Sequence, residues 1–391
     1  MMRKWLGLLL VMLIVAAAIP LAGCAEKDQY VVGAIFSTSG PASHLGVPEE
    51  RTVRMMVEEI NKAGGINGRS LKVIIYNDES DPVKTLALAN RLIEQDKVLA
   101  IIGPTTTGAS LAIVDAVTTA KIPLVSCAAA LQIVDPVEER YWVFKTPQTE
   151  VEAVQEIYRH LEQEGITKVG LITDTSAFGA AGLKYLKSEK DDYGITIVSA
   201  QTFDSGDTSM VGQLTLIKGT NPQAVVCWAT DKESAQVARD MKFLGMTMPL
   251  LCSHGVANRD FITQAGEAAN GVILPAGKLL IVDDVPDTDP QKEVLTKYRY
   301  DYEAIYGAGT ASTFGGHAFD ALSMVVMALD KLDSNLKLAN ARQQIRDEIE
   351  KISGFAGTGG VFTMSPTDHL GMEPGSLALI KVVDGQWTWL Q

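Results

Sequence analysis

The chain alternates short, unbroken apolar runs with longer stretches whose apolar residues recur every three or four positions. "YVVGAIF" (Tyr30 to Phe36) is apolar throughout, the pattern of a parallel strand covered on both faces. Val53, Met56, Val57 and Ile60 then fall at i, i+3, i+4 and i+7, which predicts an amphipathic helix ending at Gly64. "LKVIIYND", "VLAIIG" and "IPLVS" predict three more strands, separated by helices near 83–95 and 107–120. Such alternation describes a doubly wound α/β unit. After "YWVFKTPQTE" the pattern begins again, with a helix over about 150–164 and the strand "KVGLIT". "ITIVSAQTF", "AVVCWA", "PLLCS" and "GVILP" then alternate with helices near 179–190, 207–218, 231–245 and 258–267. Three helices fill 290–352, and Asp384-Gly385 between apolar strands predicts a closing hairpin.

Two α/β units are therefore expected, preceded by a segment of a different kind. "MMRKWLGLLLVMLIVAAAIPLAGC" has a basic start at Arg3 and Lys4, an apolar run from Trp5 to Ile19, and a cysteine at position 24. The run is too short for a confident membrane span and fits a secretion signal. The Leu-Ala-Gly-Cys box resembles the bacterial lipoprotein signal, which implies removal of residues 1–23 and lipid on Cys24. The expected location is extracytoplasmic, in the periplasm or on the outer face of the cell membrane, with the lipid as the membrane contact.

Charge and motifs then remove whole classes of function. The 34 basic and 47 acidic residues give a net charge of −13, and loss of the leader would remove two more positive charges. So acidic a chain is a poor candidate for nucleic acid. Cys127, Cys227 and Cys252 end apolar runs at spacings that match no zinc site, so they read as small buried hydrophobes. No phosphate loop or nucleophile elbow is present, and "GTGG" (Gly357 to Gly360) precedes a strand instead of following one. His44, His160, His254, His317 and His369 form no pair at helical metal-ligand spacing. We expect no metal, no cofactor and no enzyme activity.

Open α/β sheets bind ligands beyond the carboxyl ends of their strands. There the first unit offers "GPTTTGAS", with Thr106 and Thr107 at the start of a helix whose free N–H groups favour an anion. Thr107 could equally be a helix cap, and both roles use one geometry.

"GAIFSTSGPASHLG", "INKAGGINGRSLKVIIYNDESDP" and "IIGPTTTGASLAIVDAVTTAKIPLVS" together resemble the type I periplasmic binding proteins, specifically the branched-chain (hydrophobic) amino acid family of ABC importers. The resemblance covers essentially all of the chain after the leader. It implies two Rossmann-like lobes joined by a three-stranded hinge, with crossings near 145–148, 275–278 and 354–357. The first lobe would hold residues 25–146 plus 278–356, the second 147–277 plus 357–391.

By the same resemblance, Thr107, with Thr106 beside it, would hold a ligand carboxylate. The small-residue loop after the fourth strand would contribute Ala128 and Ala130, with Ala130 at a position where relatives carry a hydroxyl. Phe178 replaces a closing tyrosine, and His254 stands where leucine-type binders place the carboxylate that pairs with the ligand ammonium. Thr230, Leu45, Trp228 and Phe314 complete the expected lining. The disulfide positions of the family fall on Ser80 and Thr106. These departures subtract contacts from an α-ammonium and none from the anion site. The expected ligand is a small hydrophobic carboxylate, aromatic or aliphatic, passed by a monomeric binding protein to an inner-membrane ABC permease. Import of a branched-chain amino acid, or a ligand-sensing receptor domain, are the alternatives.

Overall fold

The computed structural model describes residues 29–390, so Cys24 and the leader lie outside the described residues. The first lobe is built on a five-stranded parallel sheet in the order β2-β1-β3-β4-β5. Its strands are β1 (Gln29–Phe36), β2 (Ser70–Asn77), β3 (Ile101–Ile102), β4 (Leu124–Ser126) and β5 (Val143–Lys145). They are connected by α1 (Ser43–Lys62), α2 (Pro82–Glu94) and α3 (Thr107–Ala120). Central strands such as "YVVGAIF" are apolar on both faces because helices cover both faces, and Val32, Ala34, Ile35 and Phe36 are all fully buried.

The second lobe begins at α4 (Glu150–Gln163), whose Thr149 and Glu152 form a capping box. Next come β6 (Lys168–Asp174), α5 (Ala177–Ser188), β7 (Thr196–Phe203), α6 (Val211–Gly219), β8 (Ala224–Trp228), α7 (Asp231–Phe243), β9 (Leu250–Cys252), α8 (Arg259–Ala265) and β10 (Ile273–Gly277). The chain returns to the first lobe as α9 (Lys292–Tyr306), α10 (Thr313–Asp330) and α11 (Leu338–Glu350), followed by β11 (Phe355–Ala356) and β12 (Val361–Phe362). It ends in the second lobe with β13 (Leu377–Val383) and β14 (Gln386–Trp389). That sheet has seven strands in the order β14-β13-β10-β9-β8-β6-β7. The final pair is the antiparallel hairpin expected from Asp384-Gly385, and both turn residues have positive φ, 49° and 73°.

One boundary differs from expectation. The third crossing lies later than the expected 354–357, because Phe362, Met364, Leu370 and Met372 pack into the first lobe's core with Val32, Phe144 and Leu322. The chain therefore leaves that lobe after Met372, just before β13. Periodicity marks an apolar segment without saying which of two similar cores it joins.

The segment "GTGG" links β11 to β12 and wraps the carboxylate of Asp320. That carboxylate accepts from Thr358 N (2.6 Å), Gly359 N (2.7 Å) and the Thr358 hydroxyl (3.2 Å). A Cβ on Gly357 would lie 2.6 Å from Asp320 Oδ1, so glycine is needed for this close approach. Burial pushes the Asp320 carboxyl up to about 7, against the opposing pull of the Gly359 and Thr358 donors. Asp320→Ala leaves two buried N–H groups without an acceptor and should cost about 2–4 kcal/mol in denaturant unfolding. A loss near zero would mean that the turn holds itself.

Candidate functional site

Both sheets open toward the same cleft. In the first, the loops after β1 and β3 diverge at the switch point and supply Pro41, Ala42, Thr105, Thr106 and Thr107 to its wall. In the second, the loops after β6 and β8 do the same with Ser176, Ala177, Phe178 and Thr230. Between them lies a cavity of about 440 Å³, a size suited to a small solute. The lobes touch around it. A Cβ on Gly108 would sit 3.8 Å from Ala177 Cβ, and the Thr313 hydroxyl donates across to Ala257 O at 3.2 Å.

The wall contributed by α3 is polar. Thr106, not Thr107, caps the helix, its hydroxyl accepting from Ala109 N at 3.3 Å. Thr107 is thereby the first helical residue, its hydroxyl is buried without a hydrogen-bond partner, and it lines the cavity. Thr105 is engaged elsewhere, bonded to the buried Glu49 carboxylate while accepting from Ser37 N at 3.0 Å. The starts of α3, α5, α7 and α10 all reach the cavity, through Thr107, Ala177, Thr230 and Phe314. Helix N-termini present unsatisfied N–H groups and the positive end of the dipole, so this convergence favours a negative ligand group. Thr230 precedes α7 without making a side-chain cap bond.

The opposing wall is aromatic. Phe178, Trp228 and His254 form a triangle of rings with centroids 5.5 to 5.7 Å apart. Trp228 is fully buried behind the other two and does not line the cavity. The small residue Gly182 makes room for it, since a Cβ there would come within 2.3 Å of the indole. Its expected contact with the ligand is therefore corrected to a supporting role. Ala130 is likewise fully buried outside the cavity; Cys127, Ala128 and Ala129 form that part of the lining. Leu45, Thr106, Thr107, Ala128, Phe178, Thr230, His254 and Phe314 are all brought together around the one cavity.

His254 sits in a short turn of 3-10 helix capped by Ser253, whose hydroxyl accepts from Gly255 N (3.2 Å) and donates to Ala229 O (2.8 Å). Both ring nitrogens lack a hydrogen-bond partner. Burial, and then the charge of Lys145, hold its pKa down to about 3, so the ring is neutral. Lys145 is itself buried at the end of β5, where burial lowers it to about 8 and its ammonium is bonded to Pro147 O.

Sequence reasoning missed three residues of this wall. His317, on α10, lines the cavity with Nδ1 unpartnered, and burial followed by the charges of His254 and Lys145 lowers it to about 3. Glu233 and Asp174 also line the cavity. Glu233 accepts from Gly206 N at 3.0 Å. Asp174 accepts from the backbone and hydroxyl of Ser176 at 3.0 and 2.5 Å, and burial raises its pKa. The charge of Glu233 opposes the burial-driven lowering of His44, and no carboxylate is among the causes that shift His254. Nothing along the chain marks these three, since each lies on a helix or strand end that only the fold brings to the cleft.

Among the described residues, no group of three or more His, Cys, Asp or Glu is placed to hold a metal ion. No described helix is long and apolar enough to cross a membrane. Cys127, Cys227 and Cys252 are all buried.

Comparison with known proteins agrees with the fold. The sequence profile of the family described as "Periplasmic binding protein" matches residues 29–386. The leucine-, isoleucine-, valine-, threonine- and alanine-binding protein of Pseudomonas aeruginosa is 22% identical over 262 residues, covering 66% of this chain and 70% of its own. A Leu/Ile/Val/Thr-binding protein of Salmonella typhimurium is 22% identical over 284 residues, 73% and 77% of the two chains. Among solved structures, an extracellular ligand-binding receptor from Rhodopseudomonas palustris HaA2 superposes with a TM-score of 0.87 and 28% identity over 93% of this chain and all of its own. The branched-chain amino acid transporter substrate-binding protein of Streptococcus pneumoniae, solved with isoleucine, gives 0.80 and 24% over the same shares. With two doubly wound lobes closing on one solute-sized cavity, the chain belongs to the periplasmic binding protein family and has its type I fold.

Proposed function

We propose that this protein captures a small carboxylate with an apolar body, lacking an α-amino group, and presents it to an ABC permease from a lipid-anchored position outside the cytoplasm. Binding is non-covalent: Thr107 and the first N–H groups of α3 take the carboxylate, and Leu45, Phe178 and Phe314 bury the remainder. Lobe closure around the ligand then supplies the signal that a permease reads. The observation carrying this reading is the neutral His254 on the wall facing the ligand, with Lys145 and no carboxylate acting on it. An ammonium set against this ring would meet a neutral side chain and the opposing charge of Lys145, which is costly.

A second reading has its own observation. Glu233 and Asp174 also reach the cavity, and either could pair with the ammonium of an amino acid, the ligand class printed in the names of the relatives. The two readings separate in a thermal-shift screen of protein stripped of ligand by unfolding and refolding. The panel pairs 4-methylpentanoate with leucine, and 3-phenylpropanoate with phenylalanine. A ligand at about 100 times its Kd stabilises by about 2.7 kcal/mol, several degrees in midpoint. Stabilisation by the acids alone is expected. Stabilisation by the amino acids alone would transfer the ligand site to Glu233 or Asp174.

A further inference from the structure

His254 and His317 both line the cavity, and His254 Nδ1 and Nε2 and His317 Nδ1 are buried without a hydrogen-bond partner, the last of these packed toward Gly359. The two histidines come from different lobes, His254 after β9 and His317 on α10. His254 is 7% exposed and His317 4%, so water reaches neither freely. Both rings reach the same cavity, and the charge of His254 opposes protonation of His317. A native interior rarely leaves so many buried polar atoms unmatched without a ligand or water to match them.

Their chemistry restricts the partner. A neutral imidazole offers one N–H donor and one acceptor nitrogen. An ammonium donates only, and the Lys145 charge that acts on both rings opposes it. A carboxylate accepts only, leaving the acceptor nitrogens unmatched unless the rings are protonated, which their burial resists. A hydroxyl both donates and accepts, so it can accept from one ring and donate to the other.

We propose that His254 and His317 form a clamp across the two lobes for a hydroxyl group, making the ligand a hydroxy acid. This rests on the carboxylate reading above and narrows it. The clamp also ties specificity to closure, because the hydroxyl is fully bonded only when both lobes are in place. A ligand without it leaves buried nitrogens unmatched, and sites built to bond a hydroxyl discriminate strongly against its absence.

Calorimetric titration of the ligand-stripped protein tests this with skeleton-matched probes. One set is 4-methylpentanoate, 2-hydroxy-4-methylpentanoate and leucine. The other is 3-phenylpropanoate, 2-hydroxy-3-phenylpropanoate, 3-(4-hydroxyphenyl)propanoate and phenylalanine. At least one hydroxy acid should bind about 10-fold or more tighter than its parent acid, and the 2-hydroxy and ring-hydroxy arms locate the group. In His254→Phe and in His317→Leu that advantage should fall below about 3-fold, while His317→Gln, whose amide both donates and accepts, retains part of it. Parent and hydroxy acids binding equally would overturn the clamp and leave the carboxylate reading standing. Binding of the amino acids alone, or of no probe, would overturn both. A hydroxyl advantage unchanged in both folded variants would also end the proposal. The wild-type panel needs no variant to fold.

Discussion

Trp228→Ala should destabilise the protein by about 3–5 kcal/mol and weaken ligand binding, although the indole touches no ligand. Trp228 is fully buried among Phe178, His254 and the backbone of Gly182, and a cavity behind two wall residues cannot collapse without moving them. Chemical denaturation reads the first effect and calorimetry the second. The indole nitrogen has no hydrogen-bond partner, so Trp228→Phe forfeits no bond and should recover most of the loss. If alanine cost under about 1 kcal/mol, the aromatic triangle would not be holding the cavity wall.

Acid should weaken the fold through the histidine clamp. His254 and His317 are held neutral, with pKa values lowered to about 3. In the unfolded chain a histidine titrates near 6.5. Between those values the unfolded state binds more protons, so stability is complete above about pH 6.5 and falls as the pH drops toward 3. Each such histidine contributes a slope on the order of 1.4 kcal/mol per pH unit. Asp320, raised to about 7 by burial, has the opposite sign: between its unfolded value and 7 it favours the fold as pH falls. Glu49, raised by its own burial, acts in the same direction as Asp320, so the total slope is a difference of terms.

The variant comparison isolates the histidine. Phenylalanine at position 254 keeps the ring contacts with Phe178 and Trp228 and removes the proton site. The stability of His254→Phe relative to wild type should therefore rise by about 2.5 kcal/mol between pH 6 and pH 4. Denaturant unfolding at both pH values measures it, and a constant difference would show that the ring is not neutral and buried as described.

Several features were readable along the chain because their causes are local. Period-3.6 and unbroken apolar runs gave the succession of helices and strands, and Asp384-Gly385 gave the final hairpin through its need for two positive φ angles. The threonines of "GPTTTGAS" announced a helix start in a strand-end loop, although the cap proved to be Thr106 and the free hydroxyl Thr107. Other features depend on which distant segments meet. Whether Phe362 to Met372 belongs to the first or second core follows from packing between elements, and an apolar pattern is the same for either. Trp228 and Ala130 sit in the right segments, but only the surrounding shape decides that they face inward, away from the cavity.

The same limit governs the site's chemistry. Sequence singled out His254 by its place after a strand. It gave no reason to select His317 from an apolar helix 63 positions on, or Glu233 and Asp174 from separate elements. Their relation is electrostatic and spatial: charges act over ångströms, and two lobes folded around a hinge bring together groups that the chain holds far apart. The sequence determined that there would be two α/β units with ligand loops at their strand ends. Tertiary structure alone decided which side chains meet there, which are neutral, and which hydrogen bonds are left for a ligand to make.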